Sequence, residues 1–243
     1  MNRPIIIAHR GASGEYPENT LAAYRAAVEI GADYFELDAR LSRDGVPVVM
    51  HDATVDRTTD GHGAVADRTV EELKRLDAGS WKAARFAGER VPTLEEVFSA
   101  FPESRIVVEL KSSPGAAGLE EAVLAVVERH GAADRVIFCS FQPASLARML
   151  ALGATSRMAP ILHRGTPRED KRAFRALRRA EALHAEQSLC TPRTMRWAQE
   201  RGYRVNPWTV DDPAAMRRLL AMGTDGISTN RPDVLMDLLK EQP

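Results

Sequence analysis

Apolar runs and amphipathic runs alternate eight times along this chain of 243 residues, and the alternation restricts its fold more than any other feature. Each apolar run has the length of a buried strand, and each amphipathic run has the periodicity of a helix. Strands that alternate with helices predict a parallel sheet, and eight such units in a chain of about 250 residues predict a closed (β/α)8 TIM barrel, an α/β fold. The predicted strands are Ile5–His9, Tyr34–Arg40, Arg105–Lys111, Arg135–Phe141, Ser156–Leu162, Ala182–Glu186, Arg204–Val210 and Asp225–Ser228.

The runs between these strands carry residues that commonly begin and end helices. Thr20 is a predicted N-cap, Asp212 and Pro213 begin another helix, and Gly31 and Gly223 follow the last turns of two helices. An open doubly wound sheet is the alternative architecture, but no G-x-G-x-x-G motif follows the first strand. The predicted helices span residues 21–31, 94–101, 118–130, 143–152, 169–180, 192–202, 213–223 and 232–240.

One segment does not follow the alternation. Residues 52–92 are too long for an ordinary connection and are rich in turn-forming residues, so we expect a small insertion after strand two, at the carboxyl ends of the strands. Within it we expect a short helix near Thr69–Leu76. Before it, Asp44-Gly45 predicts a turn into Val46–Met50, which pairs back on strand two. Because no linker is visible, we expect a single domain over residues 1–243.

Charge and composition exclude several functional classes. A net charge of −1 creates no field that attracts a polyanion, so we expect no nucleic-acid partner. The first residues lack the apolar core of a signal peptide, and no run approaches the ~20 apolar residues of a membrane span. Cys139 and Cys190 follow no metal-binding spacing. These features predict a cytoplasmic protein without a membrane span, and they leave its oligomeric state open.

Two predicted strands carry charged residues on one face. Glu36 and Asp38 are two residues apart and point to the same side of strand two, and Glu109 and Lys111 do the same on strand three. The alternatives are a solvated strand edge for the first pair and a structural ion pair for the second. Three carboxylates without a nitrogen or sulfur ligand favour a hard cation, so we predict that Glu36, Asp38 and Glu109 bind Mg²⁺ or Ca²⁺.

Histidines and aromatic residues occur at the ends of other strands. His9 and His51 each follow an apolar run, and two histidines at the mouth of a barrel are typical of a general acid and a general base. The alternative is that each is a hydrogen-bonded structural residue. Phe141 and Trp208 are predicted to line a pocket for the substrate, with a tryptophan of the barrel core as the alternative. Two residues of the predicted strand six stay unassigned: His184 and Glu186.

Seven short motifs occur in order along the chain. They are His9-Arg10-Gly11, Glu18-Asn19-Thr20, Glu36-x-Asp38, His51-Asp52, Glu109-x-Lys111, Ser140-Phe141 and Trp208-Thr209-Val210. Together they resemble the glycerophosphodiester phosphodiesterase family over most of the chain, including the insertion. The sequence departs from the family at Thr229-Asn230, where Thr-Asp is usual, and at Pro207, which precedes Trp208.

The resemblance implies a metal-dependent enzyme that hydrolyses small glycerophosphodiesters, such as glycerophosphocholine, to an alcohol and sn-glycerol 3-phosphate. It leaves open whether water or the 2-hydroxyl of the glycerol attacks the phosphorus, and which histidine is the base. The roles it implies are metal binding by Glu36, Asp38 and Glu109, acid–base catalysis by His9 and His51, phosphate binding by Arg10 and Lys111, and supporting contacts from Glu18 and Asn19.

Three other functions are compatible with parts of this pattern. A lysophospholipid phosphodiesterase of the same superfamily needs an apolar channel for an acyl chain, and residues 52–92 contain no long apolar stretch. A metal-dependent lyase or isomerase uses the same carboxylates without needing both histidines. A non-catalytic barrel binds glycerophosphodiesters without turnover, and the presence of His9 and His51 argues against it. The preferred head group and the metal are left open.

Overall fold

The computed structural model describes residues 3–112, 117–175, 177, 180 and 182–241, and strands and helices alternate over most of these residues. The strands are β1 (Ile5–Ala8), β2 (Tyr34–Leu41), β3 (Pro47–Val49), β4 (Ile106–Leu110), β5 (Val136–Ser140), β6 (Arg157–Leu162), β7 (Ala182–Glu186), β8 (Arg204–Trp208) and β9 (Gly226–Thr229). The helices are α1 (Leu21–Ile30), α2 (Val70–Lys74), α3 (Leu94–Ala100), α4 (Leu119–Arg129), α5 (Pro143–Ala151), α6 (Arg168–Arg175), α7 (Pro192–Gln199), α8 (Pro213–Ala221) and α9 (Pro232–Lys240).

The sheet closes into a barrel. In the described part of the chain, eight strands run parallel in the order β8-β7-β6-β5-β4-β2-β1-β9. The two ends of this order meet through backbone hydrogen bonds of 3.0 Å, from Asp225 N–H to the Val205 carbonyl and from Val210 N–H to the Ser228 carbonyl. The predicted (β/α)8 TIM barrel is therefore confirmed, and the doubly wound alternative is wrong.

The pleat of β2 separates the core from the site. Phe35 and Leu37 point outward and pack in the layer between the sheet and the helices, where the Phe35 ring stacks on Tyr24 of α1 at 4.5 Å. Glu36 and Asp38 alternate with them, point into the barrel and are buried. The apolar face thus anchors β2 against α1, and this packing holds the two carboxylates at the mouth of the barrel.

The helices begin where the sequence predicts. Thr20 caps α1 by accepting a hydrogen bond from the Ala23 N–H, and the helix ends at Gly31, whose φ of 88° is left-handed. Thr93 and Glu96 form a capping box at the start of α3. No helix among the described residues has the length and apolar character needed to cross a membrane.

The segment between β3 and α3 contains the predicted insertion. β3 pairs antiparallel with β2, which confirms the expected return of the chain after Gly45. The short helix α2 lies within the predicted range, and 3₁₀ helices flank it at Val65–Asp67 and Ala84–Phe86. Lys82 Nζ donates to the carbonyls of Ser13 and Gly14 at 2.9 and 2.8 Å, so the segment lies against the loop after β1.

The main difference from the predicted elements occurs around α6. The predicted helix 169–180 is observed as Arg168–Arg175, and residues 176, 178 and 179 of that prediction lie outside the described residues. Ala180 forms a parallel bridge with Met158 instead of a helical turn, because the chain there joins the sheet beside β6. The other boundaries differ from the predicted ones by a few residues at the ends of strands and helices.

Replacement of Phe35 by alanine tests whether the outward face of β2 anchors the barrel. Phe35 is 2% exposed and also meets the Phe101 ring at 5.4 Å, so we expect Phe35→Ala to lower the free energy of unfolding by about 3–5 kcal/mol in urea titrations. Val28→Ala, which removes an exposed side chain of α1, is the matched control and should change it by less than ~0.5 kcal/mol. A loss below ~1 kcal/mol for Phe35→Ala would contradict this anchoring role.

Candidate active site

The loop after β1 brings polar groups to the carboxyl end of the barrel. Arg10 and Asn19 have left-handed backbone conformations, with φ of 56° and 59°, which cost free energy in residues other than glycine. The Arg10 N–H donates to Glu36 Oε2 at 2.9 Å and thereby ties the loop to β2. At Gly11, with φ of 81°, a Cβ would lie 2.6 Å from the Ala23 carbonyl carbon, so the loop needs glycine there.

Carboxylates from two neighbouring strands meet inside the barrel mouth. Asp38 and Glu109 are register partners on β2 and β4, and one oxygen from each of Glu36, Asp38 and Glu109 lies within 4.8 Å of the others. Lys111 Nζ lies 2.6 Å from Glu109 Oε1 and 3.1 Å from Asp38 Oδ1. Arg10 Nε lies 3.3 Å from the second oxygen of Asp38. The central carboxylate is therefore paired with two cations.

Asn19 holds Asp38 from the loop. Its Nδ2 donates to Asp38 Oδ2 at 2.8 Å, and its Oδ1 accepts a hydrogen bond of 2.9 Å from the Tyr24 hydroxyl. Because a carboxylate only accepts and the tyrosine hydroxyl here donates, the orientation of the Asn19 amide is defined by its two neighbours. The strained backbone at Asn19 thus places an amide where it orients a buried carboxylate.

Burial and mutual repulsion separate the pKa values of the three carboxyl groups. Burial, followed by the charges of Asp38 and Glu109, raises the pKa of Glu36 well above its usual range. Burial and the Asp38 charge raise the pKa of Glu109 to about 7, against the opposing effect of Lys111. Burial also opposes ionisation of Asp38, but the charges of Lys111 and Arg10 outweigh it and hold the pKa of Asp38 far below its usual range.

This set of ligands fits a hard divalent cation. Glu36 Oε1 is buried and has no hydrogen-bond donor among the described residues, whereas Asp38 Oδ1 has the Lys111 ammonium beside it at 3.1 Å. A buried carboxylate oxygen without a partner is costly, and three crowded carboxylates add repulsion to that cost. A bound cation relieves both, and Mg²⁺ and Ca²⁺ prefer oxygen ligands. The chemistry of Glu36, Asp38 and Glu109 therefore matches the predicted metal.

His51 is held by a network that runs through the insertion. Its Nδ1 lies 2.6 Å from Asp52 Oδ1, and Arg57 Nε donates to Asp52 Oδ2 at 2.6 Å. The two Nη atoms of Arg57 donate to the two oxygens of Glu18, each at 2.8 Å. Glu18 also accepts a hydrogen bond of 2.9 Å from Arg10 Nη1. Arg57 therefore couples the orientation of His51 to that of Arg10.

His9 is bonded in a similar way on another side of the mouth. Its Nδ1 lies 2.7 Å from Asn230 Oδ1. Burial, followed by the Arg10 charge, lowers the pKa of His9 to about 4. Burial also lowers the pKa of His51, although the Asp38 charge opposes it. Burial therefore favours the neutral form of both imidazoles, and each uses Nδ1 for its hydrogen bond and leaves Nε2 unbonded among the described residues.

A cavity of about 90 Å³ opens between these groups. Phe141 and Trp208 form one wall, with their ring centroids 5.4 Å apart and their planes at 89°, and Lys111 Nζ lies 5.9 Å above the Phe141 ring. Trp208 Nε1 donates to the His184 carbonyl at 3.0 Å, which fixes the indole. The residues that line the cavity are His9, Arg10, Glu36, His51, Glu109, Lys111, Cys139, Phe141, Ile161, His184, Trp208, Thr209 and Ser228.

The structure distinguishes the two residues left unassigned on β7. His184 lines the cavity and is buried, and burial lowers its pKa to about 4. Glu186 instead accepts hydrogen bonds from the Arg164 N–H at 2.9 Å and from the Ser188 hydroxyl at 2.6 Å. Glu186 therefore orders the loops beside β7, whereas His184 is a neutral residue in the wall of the cavity.

The structure brings all the predicted site residues to one end of the barrel. Most of them line the cavity, while Asp38, Glu18 and Asn19 contact its lining residues from behind. Arg57 was not predicted from the sequence, because a single arginine in a turn-rich segment gives no periodic signal. Asp211 and Asn230 were not predicted either, although the departure from the family motif at Thr229-Asn230 marked the position of Asn230.

The burial of His184 predicts a loss of stability in acid. Its pKa is lower in the folded protein than in the unfolded chain, so the unfolded chain binds the proton first and stability falls as the pH drops from about 6.5 toward 4. We expect His184→Gln to reduce the difference in unfolding free energy between pH 7 and pH 4.5 by ~2 kcal/mol. Replacing the exposed His62 by glutamine is the control. Identical pH profiles for His184→Gln and the parent protein would contradict the prediction.

Comparison with known proteins identifies the family. The sequence model described as "Glycerophosphoryl diester phosphodiesterase family" matches residues 9–234. A glycerophosphodiester phosphodiesterase of Caldanaerobacter subterraneus subsp. tengcongensis is 38% identical over 242 residues, which cover 98% of this chain and 99% of that protein. A glycerophosphodiester phosphodiesterase of Bacillus subtilis is 34% identical over 263 residues, which cover 98% of this chain and 87% of that protein.

Solved structures agree with this result. An Oleispira antarctica phosphodiesterase in complex with the product sn-glycerol-3-phosphate has a TM-score of 0.92 and 31% identity, with 98% of this chain and 97% of that chain covered. A putative glycerophosphoryl diester phosphodiesterase from Silicibacter pomeroyi has a TM-score of 0.90 and 27% identity, with 98% of this chain and 93% of that chain covered. The resemblance seen in the sequence motifs is thus confirmed, and the chain belongs to the glycerophosphoryl diester phosphodiesterase family.

Proposed function

We propose that this protein is a metal-dependent phosphodiesterase that hydrolyses small glycerophosphodiesters to an alcohol and sn-glycerol 3-phosphate. The observation that carries the proposal is the convergence of three carboxylates, two cations and two histidines at one end of the barrel, where all of them except Asp38 line one cavity. The names of the relatives support it, as does the sn-glycerol-3-phosphate in the Oleispira antarctica structure. Glycerophosphocholine and glycerophosphoethanolamine are the substrates we expect.

The charged residues are arranged for a phosphodiester anion. Glu36, Asp38 and Glu109 would hold the divalent cation, Mg²⁺ or Ca²⁺, which when bound neutralises charge on a non-bridging phosphate oxygen. Lys111 is held by Glu109 and Asp38, and Arg10 by Glu18, before any substrate is present. Such preoriented charges stabilise a phosphoryl transition state because they need little reorganisation during the reaction.

His9 and His51 move the protons. One imidazole accepts the proton of the attacking oxygen as the new P–O bond forms, and it returns this proton to solvent after turnover. The other imidazole first takes up a proton from solvent at Nε2 and then donates it to the departing alcohol oxygen as the old P–O bond breaks. Because the Nδ1 atoms are bonded to Asn230 and Asp52, the exchange takes place at Nε2 in both residues. The attacking oxygen belongs to water, or to the glycerol 2-hydroxyl if a cyclic phosphate forms first.

The size of the cavity favours a small substrate. A volume of about 90 Å³ beside the edge-to-face pair of Phe141 and Trp208 suits a glycerol unit better than an acyl chain. Lysophospholipids are therefore the second substrate class to test. A single domain over residues 1–243 and a cytoplasmic location remain predictions from the sequence.

Turnover of glycerophosphocholine tests the proposed function directly. We expect purified protein to release sn-glycerol 3-phosphate, EDTA to abolish the release, and Mg²⁺ or Ca²⁺ to restore it. A circular dichroism spectrum in EDTA serves as the control for folding. If the protein releases product only from lysophosphatidylcholine, the assignment shifts to that substrate class. If it binds glycerophosphocholine but turns over no diester, the assignment as an enzyme is contradicted.

Glu36→Gln tests the metal site with a measurement that does not need turnover. The variant loses one charged ligand, so we expect isothermal titration with Ca²⁺ or Mg²⁺ to lose its binding signal and kcat/KM to fall by at least ~10²-fold. Since the substitution also removes one of three crowded carboxylates, the metal-free variant should unfold at a temperature no lower than that of the metal-free parent. Glu29→Gln, an exposed change on α1, is the control. Unchanged metal affinity in Glu36→Gln would remove this residue from the ligands.

A further inference from the structure

Two residues lie behind His9: Asn230, which has entered the mechanism only as the partner of His9 Nδ1, and Asp211, which has no role in it so far. Asn230 follows β9, and Asp211 lies in the turn between β8 and α8. Asn230 Nδ2 donates to Asp211 Oδ2 at 2.6 Å, and the Asn230 N–H donates to Asp211 Oδ1 at 2.8 Å. The Thr229 hydroxyl donates to the same Oδ1 at 3.0 Å. The carboxylate of Asp211 is therefore held by three donors from one turn of chain.

The position of Asp211 defines which way the Asn230 amide faces. An ionised carboxylate only accepts hydrogen bonds, so the NH₂ group of Asn230 faces Asp211 and its oxygen faces His9. The Ser13 hydroxyl lies 2.8 Å from that same oxygen and 2.7 Å from the His9 carbonyl, and its single hydrogen is shared between them, so the orientation of the amide is defined by Asp211. An amide oxygen lying 2.7 Å from an imidazole nitrogen requires that the nitrogen carry the hydrogen.

We propose that Asn230 and Asp211 are positioning residues that hold His9 in the Nδ1–H tautomer and leave its Nε2 as the atom that exchanges a proton with the substrate. The role in turnover rests on the proposed function, whereas the tautomer is a property of the folded protein. The tautomer matters because the imidazole is neutral at pH 7, so only one of its nitrogens can accept a proton.

The use of an amide instead of a carboxylate has a physical consequence. His51 is bonded to the carboxylate of Asp52, which stabilises a positive imidazolium, whereas Asn230 orients His9 without adding a negative charge. The charged groups that act on His9 are Arg10, Asp38 and Glu18, and the Arg10 charge disfavours the imidazolium. The two histidines therefore differ in how readily they hold a second proton.

Asp211→Asn is the decisive substitution. The amide introduced at position 211 keeps an oxygen for the Thr229 hydroxyl and the Asn230 N–H, so its NH₂ group faces the Asn230 side chain. The Asn230 amide then has to rotate and present its own NH₂ group to His9, which forces Nδ1 to accept and moves the hydrogen to Nε2. We expect kcat to fall by ~10²-fold with little change in KM, because substrate contacts are unchanged while proton transfer at Nε2 is lost.

The exchanged double variant Asn230→Asp/Asp211→Asn is the matched rescue. Its carboxylate at position 230 accepts from His9, and its amide at position 211 donates to that carboxylate, so the hydrogen bonds between the side chains are re-formed with the two groups exchanged. We expect the Nδ1–H tautomer to return and kcat to recover to within ~10-fold of the parent. Asp233→Asn, which changes a neighbouring carboxylate that pairs only with Arg231 among the described residues, is the control.

Nitrogen-15 correlation spectra of histidine-labelled protein measure the tautomer without any substrate. The His9 signals are assigned by their absence in His9→Gln, and the split between protonated and unprotonated nitrogens identifies the tautomer. Nδ1–H in the parent, Nε2–H in Asp211→Asn and Nδ1–H in the double variant would support the proposal. If His9 of the parent protein carries its hydrogen on Nε2, or if Asp211→Asn leaves the tautomer of His9 unchanged, the proposal is overturned even when the enzyme is active. Because the spectra need no substrate, the tautomer they identify remains valid even if glycerophosphodiesters prove not to be substrates.

Discussion

The pairing of Asp38 with Lys111 and Arg10 is the interaction on which the mouth of the barrel depends. Asp38 is fully buried, and a buried carboxylate stays ionised only when cations lie close enough to offset the loss of hydration. Lys111 follows β4, and Arg10 belongs to the loop after β1, so a single carboxylate on β2 joins three strand ends. The crowding of Glu36 and Glu109 around it is tolerated because the same cations act on all three acids.

The insertion is connected to this charge cluster through Arg57. Its guanidinium contacts Glu18 with two nitrogens and Asp52 with the third, a geometry that a lysine cannot reproduce. Glu18 in turn holds Arg10, and Asp52 holds His51. The orientation of a histidine from one segment and of an arginine from another is thus set by one planar side chain. The segment also has an apolar cluster of its own, in which Val55, Val65 and Leu73 are buried together.

In the proposed mechanism, both histidines are oriented for proton transfer by the residues that contact their Nδ1 atoms. The neighbours differ in charge, with a neutral amide at His9 and a carboxylate at His51, so the two imidazoles have different affinities for a second proton. Two titratable groups whose environments push their pKa values apart can divide the roles of acid and base. The barrel supplies this difference from residues that lie outside the cavity.

The sequence alone determined the barrel, the insertion and most residues of the site. Alternating strands and helices leave few topologies, and the alternation within β2 and β4 decides which side chains face inward, since successive residues of a strand point to opposite faces. The sequence did not determine the contacts made by Arg57, Asn230 and Asp211. It also did not determine the length of α6, which is shorter than predicted because Ala180 pairs with the sheet. These depend on distances between segments far apart in the chain, as between His9 and Asn230, which only the closure of the barrel brings within 2.7 Å. A local sequence pattern indicates on which face of a strand or helix a side chain lies. A hydrogen bond between segments far apart in the chain forms only when the tertiary structure has brought those segments together.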